Sequence, residues 1–251
     1  MNIKKIGLAF STLLLILSSC SSSDSSSSSS GTLLEKVIET YDDGTVETFN
    51  FIYNGNKIVR ITSDFGEETV YTYAGDLIVK EEAYLDDMLE DETTFEYNAS
   101  QKLIKSTRTN TSEVEVDNFT YNSNNTVSFI TTSNGVTKAT GTIYFNGDQP
   151  FKKEKLVDPG TIFEYDQLEE STFDNKVNPL ANVVGFSKII LAYPNFRVGF
   201  DGISNNVLVF TIDNVVRGSS TYTYNSNNMP ASEVYDDEQD EYDSNIQYIY
   251  N

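Results

Sequence analysis

The segment Phe51-Ile52-Tyr53-Asn54-Gly55-Asn56-Lys57-Ile58 carries most of what the sequence says about the fold. Two aromatic residues flank one other residue, a turn of Asn and Gly follows, and an aliphatic strand resumes. Side chains on a strand alternate between its faces, so Phe49, Phe51 and Tyr53 share one face while Thr48, Asn50 and Ile52 take the other. Aromatic and β-branched residues favour that pleated setting. Asn and Gly supply the left-handed backbone positions of tight turns, here at Asn54-Gly55 and again at Asn134-Gly135. The unit reads as a β-hairpin.

It recurs as Tyr71-Thr72-Tyr73-Ala74-Gly75-Asp76-Leu77-Ile78, as Phe95-Glu96-Tyr97-Asn98 before Leu103-Ile104, and as Phe119-Thr120-Tyr121-Asn122 before Val127. Weaker copies are Ile143-Tyr144-Phe145-Asn146-Gly147 and Phe163-Glu164-Tyr165-Asp166, and later ones are Tyr222-Thr223-Tyr224-Asn225 and Tyr248-Ile249-Tyr250-Asn251. The second aromatic falls at 53, 73, 97, 121, 145 and 165, in steps of 20 to 24 residues. That step suits two strands and two turns, one hairpin per repeat. The expected fold is therefore all-β: an antiparallel meander of about 12 to 16 strands, forming a large curled or rolled sheet because a twisted sheet of more than about ten strands curls or splits. Its free edges would need protection. One irregular insertion, about residues 173–202, breaks the period. Asn178-Pro179 marks a turn there, and Leu180–Tyr193 is apolar enough to be buried as a short helix and a strand. The insertion reads as a plug or cover over the sheet interior, or as the lining of a ligand pocket.

Ahead of the repeats, Lys4 and Lys5 precede an apolar stretch from Ile6 to Leu17. A membrane-spanning helix needs about 20 apolar residues, so this stretch fits a signal h-region instead. Leu17-Ser18-Ser19-Cys20 resembles the lipobox of bacterial lipoproteins. The resemblance implies cleavage before Cys20, acylation of its thiol and anchoring to a membrane, and two or more acyl chains hold a protein there stably. The expected organisation is a signal peptide over 1–19, a lipidated Cys20 with a Ser-rich flexible linker over 20–31, and a single β-repeat domain over 32–251. The linker reaches roughly 17–20 Å as a random coil.

Charge and absences narrow the function. The chain holds 38 acidic and 17 basic residues, net −21; past residue 19 it has lost Lys4 and Lys5 and no acid, leaving 15 basic against 38 acidic. Such a surface opposes nucleic-acid phosphates and direct contact with anionic lipid. With no His in the chain, His-dependent triads and HExxH zinc sites are excluded, and with Cys20 as its one Cys, so are disulfides within the chain and thiolate metal sites. The tract Asp236-Asp237-Glu238-Gln239-Asp240-Glu241 with Asp243, and the cluster Asp86-Asp87 with Glu90-Asp91-Glu92, hold enough oxygens for Ca²⁺ but lack the spacing of a known loop, so they read first as solvated turns. Paired carboxylates could run glycoside hydrolysis, yet no motif singles out a pair. The Tyr and Phe stripe suits sugar stacking or, more simply, a sheet core.

The aromatic-x-Tyr-Asn-x-Asn-x-aliphatic unit resembles the YD (Rhs-like) repeat and, more closely, the uncharacterised β-rich lipoproteins of Bacteroidota that carry degenerate copies of it. Asp174-x-Lys176-x-Asn178-Pro179-Leu180, Asn205-Asn206-Val207 and the closing Tyr-x-Tyr strand resemble the same group. The resemblance implies fold and location and supplies no catalytic, cofactor or metal residues; Cys20 is the single site assigned. The expected function is a non-enzymatic outer-membrane lipoprotein that binds a glycan or an envelope protein, with no cofactor and with its periplasmic or surface orientation open. The alternatives are a periplasmic structural, assembly or lipid-accommodating scaffold and a divergent carboxylate glycoside hydrolase.

Overall fold

The computed structural model describes residues 31–192, 204–238 and 243–251. The signal peptide, Cys20 and nearly all of the Ser-rich linker lie outside these residues. Sixteen antiparallel strands follow one another as a meander. They are β1 Leu34–Tyr41, β2 Val46–Asn54, β3 Lys57–Ser63, β4 Glu67–Ala74, β5 Leu77–Leu85, β6 Met88–Tyr97, β7 Leu103–Asn110 and β8 Val114–Tyr121. The second half comprises β9 Thr126–Ser133, β10 Val136–Asn146, β11 Gln149–Val157, β12 Tyr165–Phe173, β13 Val207–Ile212, β14 Val215–Tyr224, β15 Pro230–Asp236 and β16 Ser244–Tyr250.

The meander stands as expected; the curled or rolled sheet with free edges does not. β1 pairs with β16 from Leu34↔Tyr250 to Tyr41↔Ser244, and the sheet is a closed barrel. Closure has a visible cause. Each even-numbered strand carries an aromatic residue at or one position before its end, at Tyr53, Tyr73, Tyr97, Tyr121, Phe145, Phe173, Tyr224 and Tyr250. At seven of these eight ends the ladder slips by one residue, the exception being Tyr121. Tyr53 faces Ile58 while Ile52 faces Arg60, so Val59 has no opposite number; Val79 and Ile104 are left over in the same way. Such bulges bend a strand and increase its twist. Repeated around the wall at one level, they coil the sheet until its first and last strands meet, which removes the unpaired edges altogether.

The Asn of the repeat shapes its turn. Asn98 Oδ1 accepts the N–H groups of Ser100 at 2.9 Å and Lys102 at 3.1 Å, and Asn225 Oδ1 does the same for Asn227 and Met229. At the seam, Asn251 Oδ1 accepts the N–H of Leu33 at 3.0 Å while the N–H of Asn251 donates to the Leu33 carbonyl at 3.1 Å. The sixth copy is misplaced in the sequence reading. Tyr165 begins β12 at the opposite end of the barrel and is half exposed; the equivalent aromatic is Phe173, with Asp174 in place of Asn. Asp174 Oδ1 accordingly accepts the N–H of Lys176 at 2.9 Å.

After β12 the chain leaves the wall. Residues 178–192 pack on the inward faces of the strands, with a short helix α1 (Phe186–Ile189) and a 3₁₀ turn (Ile190–Ala192). Leu180, Val183, Phe186 and Ile189 join the barrel core beside Phe51, Ile58, Tyr71, Ile78, Phe95 and Leu103. No strand forms between 180 and 192; the expected strand there is replaced by the helical turns. Its entry is tight: Gly185 has φ of +81°, and a Cβ there would stand 2.7 Å from the Asp76 carbonyl.

Candidate functional site

The inner and outer faces of the wall differ in chemistry. On β2 the inward residues are Glu47, Phe49, Phe51 and Tyr53, whereas Thr48, Asn50 and Ile52 face out, Phe51 being 6% and Ile52 45% exposed. The aromatic stripe thus lines the lumen. Outside, Thr and charged residues dominate and pair with one another, across strands in Arg60 with Glu68 at 3.3 Å and Lys105 with Glu96 at 2.7 Å, and along one strand in Lys80 with Glu82 and Lys152 with Glu154, both at 2.8 Å.

Inside, the lumen is divided along its axis. The end that carries the aromatic-Asn turns has a dry core packed by the insertion, with an open space beside it toward β7–β10. Tyr73 donates its hydroxyl to the Val184 carbonyl at 3.0 Å, and the Val184 N–H donates to the Asn56 carbonyl at 2.9 Å. The feet of the insertion are fastened by Asp174. Its Oδ1 accepts the N–H groups of Lys176 and Asn206, and its Oδ2 accepts Asn206 Nδ2 at 2.8 Å and the Tyr224 hydroxyl at 2.5 Å. Asn205 Nδ2 donates to the Lys176 carbonyl, and Asn178 Oδ1 accepts the Leu180 N–H, both at 2.9 Å. The residues that carry the lipoprotein resemblance, Asp174, Lys176, Asn178 and Asn205-Asn206, therefore form one clasp.

The other half of the lumen is charged. Glu169 lies 2.5 Å from Lys155 and 3.7 Å from the buried Lys153. Asp91 holds Arg108 through two hydrogen bonds of 3.0 and 2.9 Å, and the Arg108 guanidinium keeps the Asp91 carboxyl below its usual range. Asp117 accepts from Thr131 at 2.5 Å and from Ser106 at 3.3 Å. Glu233, 1% exposed, accepts from Ser220 at 2.5 Å and from Tyr248. Burial raises the carboxyl pKa of Asp117 and Glu233 in spite of these donors, and burial with neighbouring carboxylates raises those of Glu67 and Glu115. Burial also lowers the Lys153 ammonium, opposed by Glu169.

Three spaces adjoin the insertion. One of about 430 Å³ opens between it and the turn ends of β7–β10. A second, about 210 Å³, separates Phe49, Phe51 and Tyr71 from Leu180, Phe186 and Ile190. The third, about 260 Å³, lies in the charged half among Glu81, Asp91, Arg108, Glu115 and Asp117 and is floored by Phe95.

The acidic clusters do not assemble. Asp91 turns into the lumen, while Glu92 stays outside 3.7 Å from Lys80, and Asp86-Asp87 forms the turn between β5 and β6. Asp243 accepts the Asp237 N–H at 2.9 Å; Gln239, Asp240 and Glu241 lie outside the described residues. Among the described residues no three Asp, Glu, His or Cys side chains group as metal ligands. Asp91 was visible in the sequence only as part of an acidic cluster, and the other lumen carboxylates, spread over several strands, have spacings that resemble any surface acid.

A family model described as "Uncharacterised protein" matches residues 27–154, and the chain belongs to that family. No curated protein matches it. Among solved structures, a porin-like protein from Bacteroides vulgatus shares 13% identity and superposes with a TM-score of 0.57, covering 88% of this chain and 99% of that one. A porin-like protein from Bacteroides uniformis, also 13% identical, gives a TM-score of 0.48 over 87% and 98%. The likeness to the first is one of fold.

Proposed function

We propose that this member of the family is an envelope lipoprotein whose barrel stands in water on a lipid tether at Cys20 and binds a small ligand in its lumen without catalysis. The observation that carries the reading is the inversion of the wall. A membrane barrel presents an apolar band to lipid and a polar interior to the channel. Here Arg60 occupies the centre of β3 and Glu154 lies next to the centre of β11 on the outer face, while Phe and Tyr rings fill the inside. Arg or Lys at the bilayer midplane costs about 2–4 kcal/mol each. The wall is built for water, and attachment falls to the acylated Cys20 and its Ser linker. The likeness of the hairpin unit to degenerate YD repeats fits eight aromatic-ended hairpins joined in a ring.

Non-catalytic binding fits the lumen carboxylates, since Asp91, Asp117 and Glu233 are each held by neighbouring donors. The test is extraction. The wild-type chain should stay with membranes through alkaline carbonate and enter detergent, whereas Cys20→Ala should become water-soluble. A Cys20→Ala chain that still resists carbonate would mean that the wall itself is embedded, and would end this reading.

A second reading concerns a protein partner. Ile162 is 93% exposed, Phe163 71% and Met88 62%, all at the charged end of the barrel. Exposed apolar groups rimmed by polar residues mark contact surfaces. Ile162→Ser with Phe163→Ser should abolish cross-linking to an envelope protein in intact cells; unchanged cross-links would remove the rim from consideration.

A further inference from the structure

We propose that the 430 Å³ space beside the insertion binds a small amphipathic organic anion, its apolar body against Leu103, Val127, Phe145 and Ile190 and its anionic head at Lys102 and Lys188. The inference rests on the reading of the lumen as a binding chamber and names the ligand class for it. Size is the first argument, because small-molecule pockets span about 300–1,000 Å³. The second is the chemistry of the wall: Leu103, 1% exposed, Val127, 2%, and Ile190, 5%, belong to the apolar core and give the space an apolar floor. Burying apolar area is worth about 25 cal/mol per Å².

Charge selects the head group. Lys57, Lys80, Lys105 and Lys152 each hold a carboxylate within 3 Å. Lys102 and Lys188 have no such ion pair among the described residues. Lys102 instead rests over the Tyr121 ring at 4.6 Å. Asp148 is the one carboxylate on this cavity among the described residues, so its described lining carries a net positive charge on a chain of net −21. Repulsion from the distant acids is screened over about 10 Å at 0.1 M salt. A sugar is disfavoured, since Lys102 already covers one face of Tyr121.

The test uses the full chain carrying Cys20→Ala, so that no acyl group of its own competes, and calorimetric titration with octanoate, octanol and octylammonium. Octanoate should bind at one site at least tenfold more tightly than octanol, and octylammonium should not bind. Lys102→Gln with Lys188→Gln, both exposed positions, should bring octanoate down to the octanol level and leave octanol unchanged. Equal affinity for octanoate and octanol, or octanoate binding that survives the double substitution, overturns the anion assignment while leaving a binding chamber in place. Val127→Trp should close the space to all three probes. Probes that still bind this variant, with its barrel intact by circular dichroism, would overturn the chamber reading as well, and so would a wild-type chain that binds none.

Discussion

The two halves of the lumen are lined by the same sixteen strands and yet behave as different materials. Toward the aromatic-Asn turns, Ile58, Ile78, Leu103 and Ile189 are almost wholly removed from water. Toward the other end, the inward positions of the same strands carry Glu47, Glu81, Asp91, Asp117, Lys153 and Glu169. A barrel of 16 strands ordinarily leaves a water-filled interior. This one fills half of that interior with its own chain and leaves the rest polar. Stability therefore concentrates in the dry half, and the charged half tolerates change at positions that face its cavity, such as Thr93.

The sharpest way to break this comparison is to place one substitution in both halves. Ile189→Lys should cost more than about 4 kcal/mol in urea unfolding, because an unpaired ammonium is buried there. Thr93→Lys, facing the charged cavity beside Glu81 and Asp91, should stay within about 1 kcal/mol. Equal losses would mean that the halves are not energetically distinct. Next in size is the clasp: Asp174→Ala strands several buried donors and should cost about 2–4 kcal/mol, whereas Asp174→Asn should recover part of that loss in the same assay.

Acidity sharpens the contrast further. The Glu233 pKa is raised above its ordinary 4.5 by burial. A carboxyl raised on folding contributes stability that is fully present below its unfolded pKa and is lost as pH rises through the folded one. The melting temperature should thus fall as pH climbs from about 4.5, and Glu233→Gln should flatten that slope by roughly 2–4 °C per kcal/mol involved. A slope unchanged in the variant would assign the dependence to general self-repulsion of the acidic chain. The smallest effect belongs to the outer wall, where Lys105→Ala should shift stability by less than about 1 kcal/mol, as exposed ion pairs do.

How far the sequence could be read follows the same division. The dry half was legible because its residues repeat: an aromatic, a turn Asn and an aliphatic return at a fixed step. Phe173-Asp174 is hidden because Ser171 stands where the first aromatic of the repeat belongs, while Phe163-Glu164-Tyr165 nearby matches the pattern at the wrong end of the barrel. Closure was missed for another reason. The bulge residues Val59, Val79 and Ile104 look like ordinary strand residues, and only the pairing shows that each is one too many. The clasp was visible as a motif, but its purpose depends on Asn206 and Tyr224, which lie 32 and 50 positions from Asp174.

The seam between β1 and β16 also sets a clock. Every other wall contact joins strands that are neighbours in sequence, and these can form as the chain emerges. The seam joins Leu34 to Tyr250, and the entropic cost of such a loop grows with the logarithm of its length. Closing it is the natural last event, and rates fall as contacts become less local. Because Leu33 and Asn251 already bond to each other, a short link between them and a new opening at the Asn134-Gly135 turn would turn the slow seam into a local hairpin. Such a permutant should refold faster to the same barrel in stopped-flow fluorescence, and an unchanged rate would place the slow step in seating the insertion instead.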